Sequence, residues 1–401
     1  MTGLCSLTFL ILASCGGGAR PSIDGDSADA SIATPAAAGG SAAMSDAGFV
    51  ASGAEASLGG EAGASWAQSG DMTDAGRWPQ VDGGAPKIGD LPTRYFPDGS
   101  FVYQSVLGEP EDPASASTMQ WLAAQNGFAS GLLIDFSTDV FVAGDDTQRR
   151  PFQIPVVNYW TPDCDTVDFP VPTAAATLRL SPPCDGEQGC VLLVVDPVAH
   201  LLYEMLDAHL GHDTLQGGCA AVWDLTRLYG PEGRGEQCTS ADAAGFAIAP
   251  LLLTADEVKA GAVEHALRFL LPTRLARAGV YRHPGNHAGF PSGPEGAPSY
   301  GSRFRLRADY DLASLPGEGA RVVARALQTY GMVLSEGFSA AIGAQTDRTT
   351  AAKWSGLLGA HDLAGLSPAD FEVLQTGDPI PLTYKCTRTV VSDARPPLAP
   401  Q

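Results

Sequence analysis

Glycine and proline interrupt this chain so often that few apolar runs outlast the length of a single strand. With 47 glycines and 30 prolines among 401 residues, long helices are disfavoured over most of the chain, and short strands joined by turns remain. Runs at 131–136, 140–142, 154–160 and 190–195 read as strands, the third with an edge-type proline. The run at 190–195 is followed by Asp196-Pro197 and a second apolar run at 200–206, which predicts a hairpin. Helical spacing is confined to 115–125 and about 319–333, and Ser367-Pro-Ala-Asp370 and Thr254-Ala-Asp-Glu257 have the form of capping boxes. The expectation is a mainly β domain, a β-sandwich or jelly roll decorated by a few short helices.

That domain is expected to span residues 88–401. Residues 4–12 are apolar but too short to cross a bilayer as a helix. They lead into Leu12-Ala13-Ser14-Cys15, which resembles the end of a bacterial lipoprotein signal, so residues 1–15 read as a signal peptide and Cys15 as the lipidated residue. An ordinary secretory signal is the alternative. Residues 16–87 are rich in alanine, glycine, serine and aspartate and hold few large apolar side chains. They cannot bury enough surface to offset chain entropy and read as a disordered tether. The expected location is therefore outside the cytoplasm, on the outer membrane or cell surface, with membrane contact through a lipid on Cys15.

The chain carries 45 acids and 24 bases; the tether holds 9 and 3 of them, leaving residues 88–401 at 36 against 21, a net charge of −15. Non-specific binding to nucleic acid is disfavoured by that balance. Six of the eight cysteines, Cys164, Cys184, Cys190, Cys219, Cys238 and Cys386, lie in the domain, and an even number in an exported chain predicts three disulfides. Proximity in sequence favours Cys184–Cys190 and Cys219–Cys238, leaving Cys164–Cys386. No metal is expected, because His209-Leu-Gly-His212 lacks a third ligand fixed nearby, and the absence of phosphate-cradling or dinucleotide motifs leaves no cofactor to expect. A monomer is expected.

Several ionisable side chains stand on apolar runs, where burial makes them costly unless they are partnered or functional. Glu204 shares a strand face with Leu202 and Leu206. Asp224 follows Trp223 near the end of an apolar strand, where it either faces a cleft or caps a turn. In 263–271, His265 and Arg268 fall on opposite strand faces, Arg268 beside Glu264, so a solvent-side Glu264–Arg268 pair competes with a substrate-binding arginine. Asp242 fits a cap in Thr239-Ser-Ala-Asp242. His287 sits in a glycine-rich loop and is expected to meet His265 across a cleft. Arg303, Arg305 and Arg307 alternate on one strand face, as a solvated stripe or an anion-binding one. Glu336 stands in a loop-like Ser335-Glu-Gly-Phe338 with no spacing signal.

At Trp223-Asp-Leu225, Thr239-Ser-Ala-Asp-Ala-Ala-Gly245, Asp256-Glu-Val258, His265-Ala-Leu-Arg-Phe269 and Tyr330-Gly-Met332 the chain resembles a group of secreted bacterial hypothetical proteins. The resemblance covers most of 94–375 in matching order. It implies that 88–401 is one unit, and it implies no activity, fold or cofactor.

Together these features point to a carbohydrate-active protein whose partner is an extracellular polysaccharide. The leading expectation is hydrolysis by paired carboxylates, Glu204 and Asp224, with Trp223 stacking on sugar rings. The second is β-elimination from a uronate polymer, with His265 or His287 as base, a tyrosine as acid, and Arg268 and Arg305 neutralising the carboxylate. Tyr330 joins Arg268, Trp223 and Arg305 among the expected substrate contacts. A non-catalytic glycan-binding or structural lipoprotein is the third.

Overall fold

A computed structural model describes residues 91–92, 94–128, 131–144, 147–153, 163–173, 175, 189–210 and 215–388, all within the unit Ala67–Gln401. The signal and tether segments, the expected strand at 154–160, Cys184 and His212 lie outside the described residues.

Among the described residues the domain is mainly β, with three short α-helices. The first strands are β1 (Leu133–Thr138), β2 (Val140–Val142), β3 (Gln148–Gln153) and β4 (Asp168–Val171). The hairpin forms as β5 (Cys190–Asp196) and β6 (Leu201–Leu210), followed by β7 (Leu215–Gln216) and β8 (Cys219–Asp224). After residue 225 come β9 (Leu267–Leu270), β10 (Val280–Tyr281), β11 (Arg303–Leu306) and β12 (Met332–Glu336). The last are β13 (Ala341–Gln345), β14 (Phe371–Val373) and β15 (Ile380–Pro381). Six of them make a mixed sheet in the order β1-β13-β9-β12-β11-β14. A second sheet runs β2-β5-β6-β7-β3-β4, with β8 paired to β6, and β10 and β15 form a two-stranded ribbon.

Side-chain alternation explains how the two large sheets pack. Along β5, Leu193 and Val195 join the main core while Leu192 and Val194 join a smaller cluster on the opposite face. Leu202 and Trp223 point to the main core, and Tyr203, Met205 and Val222 to the other. Ile134, Phe269, Phe304, Ile342 and Phe371 of the six-stranded sheet belong to that same main core. The two sheets thus bury facing apolar surfaces in one cluster, the packing that stabilises a β-sandwich.

The helices are α1 (Ser115–Ala124), α2 (Ala255–Ala260) and α3 (Glu318–Thr329). Helix α2 starts in the expected capping box: the Thr254 hydroxyl accepts from Glu257 N–H, and Glu257 Oε2 accepts from Thr254 N–H at 3.1 Å. Helix α3 buries Val323 and Leu327 as its spacing predicts, but it stops at Thr329, and Met332 begins a central strand instead. Tyr330 is its C-cap, and Gly331, at φ 70°, makes the turn.

Two expected disulfide pairings are corrected. Cys219 bonds Cys164, and Cys238 bonds Cys386. Strand β8 carries Cys219 away from Cys238, while Asp165 N–H donates to Ala220 O and draws residue 164 alongside. A bridge between Glu236 and Thr387 does the same for Cys238 and Cys386. Long-range strand contacts, not nearness in sequence, select the partners. Cys190 is also disulfide-bonded, and its expected partner Cys184 is outside the described residues.

The arginine strand departs from the expected open stripe. Arg303 and Arg305 are buried. Arg303 donates to the carbonyls of Tyr330, Phe101 and Gln104, and Arg305 to Glu372 at 2.7 Å and to Val106 O. Strand β14 and the 101–106 segment cover the face that alternation alone left to solvent. Arg305, expected to contact substrate, therefore serves the fold. Arg307 is half-exposed beside Asp309 and Glu372. Peptide mapping of the unreduced protein should recover Cys164 with Cys219 and Cys238 with Cys386; recovery of Cys219 with Cys238 would contradict the packing described here.

Candidate functional site

The sites expected from sequence separate into three neighbourhoods. The first surrounds Glu204, whose side chain is fully buried between the sheets. Its Oε1 accepts the backbone N–H groups of Ile248 and Ala249 at 2.7 and 2.9 Å, and its Oε2 accepts Trp223 Nε1–H at 3.1 Å. Burial pushes this carboxyl up to about 7, against the pull of its backbone donors. Glu204 thus holds the start of the turn at 249–251 and orients the indole. Trp223, expected to stack on sugars, is only 3% exposed and packs edge-on against Phe96 and Tyr229. Asp224 ends β8 and accepts from Thr226 N–H at 2.9 Å and from its hydroxyl at 2.6 Å, the turn-capping alternative. The paired-carboxylate site expected at Glu204 and Asp224 is therefore not an open one.

The second neighbourhood centres on the turn at 242–244. Asp242 is fully buried but begins no helix. Its Oδ1 accepts from the N–H groups of Ala244 and Phe246, and its Oδ2 from Arg268 Nε at 3.1 Å, Arg268 Nη2 at 2.7 Å and the Ser335 hydroxyl. Arg268 points from β9 into this cluster, and the same Nη2 lies 3.6 Å from Glu336 Oε2. The expected Glu264–Arg268 pair does not form, since Glu264 precedes β9 and faces Arg94 at 3.4 Å.

Glu336 is the member of this group that reaches solvent, with 28% of its side chain exposed. It accepts from Ala243 N–H at 3.2 Å and from Gly337 N–H at 2.8 Å. Burial and the charge of Asp242 push its carboxyl up to about 7. At the carbonyl of the same residue, in the next peptide unit, His287 Nδ1 meets Ala243 O at 3.1 Å. Burial lowers the His287 imidazole below its usual range. A neutral ring that donates from Nδ1 keeps a lone pair on Nε2. A carboxyl that is about half protonated near pH 7 and an imidazole that is neutral there thus flank Ala243. Tyr384, largely exposed, stands edge-on to His287 with ring centroids 5.9 Å apart.

His265 belongs to the third neighbourhood and does not meet His287. Its Nδ1 faces Ala266 O at 2.8 Å and its Nε2 faces Glu257 Oε1 at 3.1 Å. Acceptors at both nitrogens require both to carry protons. Burial works against the cation, but the Glu257 carboxylate outweighs it and the imidazole titrates above its usual value. Tyr330 lies elsewhere: its carbonyl accepts from Arg303, and its ring packs on the core. His209 faces Asp207 at 3.2 Å, and among the described residues no group of three potential ligands could hold a metal ion.

Comparison with known protein families, curated proteins and solved structures returns no match. Sequence reasoning placed His287 and Arg268 at a site but passed over Glu336 and gave Asp242 only a capping role. The one local signal for Glu336 was a carboxylate following the apolar run 332–334.

Truncating the two first-named carboxylates should have unequal effects. Glu204→Ala leaves three buried donors unsatisfied, at about 1–3 kcal/mol each, whereas Asp224→Ala removes a half-buried turn cap worth about 1 kcal/mol. Glu204 titrates near 7 when folded against 4.5 ordinarily, so folding takes up a proton. The stability it contributes is full below pH 4.5 and is lost as pH rises through 7. His265, raised above 6.5, changes stability in the same direction. Urea unfolding should therefore show a lower midpoint at pH 8 than at pH 5, with a flatter dependence in Glu204→Gln; equal costs for the two truncations would overturn this assignment.

Proposed function

We propose that this chain is an exported carbohydrate-active protein, held at the cell surface through Cys15, that cleaves polysaccharide by proton transfer at the Ala243 turn. The observation that carries the reading is that Glu336 accepts the N–H of Ala243 while His287 Nδ1 meets the carbonyl of the same residue. An acid catalyst must hold its proton near neutral pH and a base must be free of one, and opposed environments achieve this in one site. Glu336 would protonate the leaving glycosidic oxygen, and His287 Nε2 would take the proton from attacking water. Arg268 and Asp242 position Glu336 and set its charge without meeting substrate, since Asp242 is sealed by its donors. Phe338, 60% exposed, lies two residues from Glu336 and offers an apolar face to a sugar ring.

The acidic domain favours a neutral glycan over a uronate polymer, and hence hydrolysis over elimination. Elimination is the second reading, favoured by a histidine rather than a carboxylate as base. Screening the full chain against neutral and uronate polysaccharides, by reducing ends and by the ultraviolet absorbance of an unsaturated product, separates the two. Glu336→Gln and His287→Ala should each lower cleavage by about 10²–10⁴-fold while leaving the fold intact. Activity should fall as pH rises past about 7, where Glu336 loses its proton, and again in acid, where His287 gains one. Full activity in Glu336→Gln would overturn the reading, and binding without cleavage in the parent protein would replace it with a glycan-binding role.

A further inference from the structure

The neighbourhood of His265 opens into a cleft of about 140 Å³, which neither the fold nor the proposed cleavage uses. The ionisable side chains at its wall, one imidazole and two carboxylates, already have hydrogen-bond partners. His265 is paired with Glu257, whose second oxygen accepts from Thr254, and Asp256 accepts from the N–H groups of Ala351 and Ala352. An anionic ligand would meet a surplus of carboxylates, and a cationic one would have to displace His265 from Glu257 or the amide donors from Asp256 in a partly desolvated setting, which is costly.

The polar groups left to a ligand are neutral. The Tyr103 hydroxyl accepts from Tyr95 and Phe96 N–H at 2.8 and 3.3 Å and keeps its own proton to donate. Thr349 Oγ1 accepts from Gln345 Nε2 at 2.8 Å and likewise retains a donor, while Gln345 keeps its amide oxygen as an acceptor. Leu91, Pro250 and Leu252 supply apolar surface between these groups. Two hydroxyl donors and an amide acceptor beside apolar surface suit a ring whose edge carries hydroxyls and whose faces carry C–H bonds. The volume limits the ligand to one ring: a cavity of about 150 Å³ holds benzene, and a hexose, with twice the heavy atoms, would sit in the cleft with part of its edge at the open mouth.

We infer that the cleft is a binding site for one neutral, hydroxylated six-membered ring, such as a single uncharged sugar or cyclitol unit, seated between Tyr103, Gln345 and Thr349. The site is separate from the Ala243 turn, and its occupancy does not depend on cleavage by Glu336 and His287. A binding measurement therefore tests it whether or not the protein degrades a polymer.

Isothermal titration of the full chain with D-glucose, D-galactose and myo-inositol, set beside D-glucuronate and D-glucosamine as charged rings of similar size, provides the test. At least one neutral ring should bind, at least tenfold more tightly than either charged one. Thr349→Trp, which fills the cleft, should weaken that binding at least tenfold; Leu91→Trp, at a half-buried position on the rim, should do the same if Thr349→Trp does not fold. No binding by any neutral ring, equal binding of a charged ring, or binding that survives the filling substitution would overturn the inference.

Discussion

Asp242 is a fully buried carboxylate that accepts five hydrogen bonds, and the architecture around it follows from that requirement. An unpartnered carboxylate could not remain ionised between two sheets, so each donor must be delivered to it. Strand β9 delivers Arg268, β12 delivers Ser335, and the chain reversal at 242–246 delivers two amides of its own. The consequence is electrostatic as well as mechanical. Burial raises both Glu204 and Glu336 to about 7, and the Asp242 charge adds to the rise in each. Glu204 uses its position to cap a turn. Glu336, with 28% of its side chain exposed, is the one that solvent reaches.

A second buried ion closes the opposite margin of the same segment. Asp165 accepts from Val222 N–H at 2.8 Å and from Arg234 at 2.7 Å, and Arg388 also donates to it. It lies beside the Cys164–Cys219 disulfide, while Arg388 follows the Cys238–Cys386 bridge by two residues. Asp163 reaches Thr239 N–H at 2.8 Å. The 234–246 segment, which carries few strands of its own, is therefore fixed by ions and covalent links rather than by a sheet ladder. That fixity lets it present the N–H of Ala243 to Glu336 and its carbonyl to His287 at once.

The legible parts of the sequence are those governed by local period. Alternation along 190–206 gave the hairpin and both of its faces, and the Thr254 capping box gave the start of α2. Glu204 was recognisable as an anomaly because a carboxylate on an apolar strand must be accounted for. Its partners, 44 and 45 residues away, were not, because no local pattern reports which turn will lie above a strand. Arg303 and Arg305 show the same limit. Their shared face was readable, but the chain segments that cover it come from about 200 residues earlier and about 70 later. Glu336 was passed over because its character depends on Asp242, 93 or 94 positions back in sequence from the residues that meet that turn. The cysteines misled for a related reason: nearness along the chain is a poor guide once strands carry neighbours apart.

The Asp242–Arg268 contact holds the 242–246 turn against the six-stranded sheet, and a double-mutant cycle on stability measures that dependence. Asp242→Asn, Arg268→Met and the double variant would be compared with the parent by urea unfolding. Each single change should cost about 3–5 kcal/mol by stranding a buried partner, and the double should cost less than their sum by about 2 kcal/mol or more. Costs that add to within about 0.5 kcal/mol would show that the two side chains do not depend on each other, and would contradict the account.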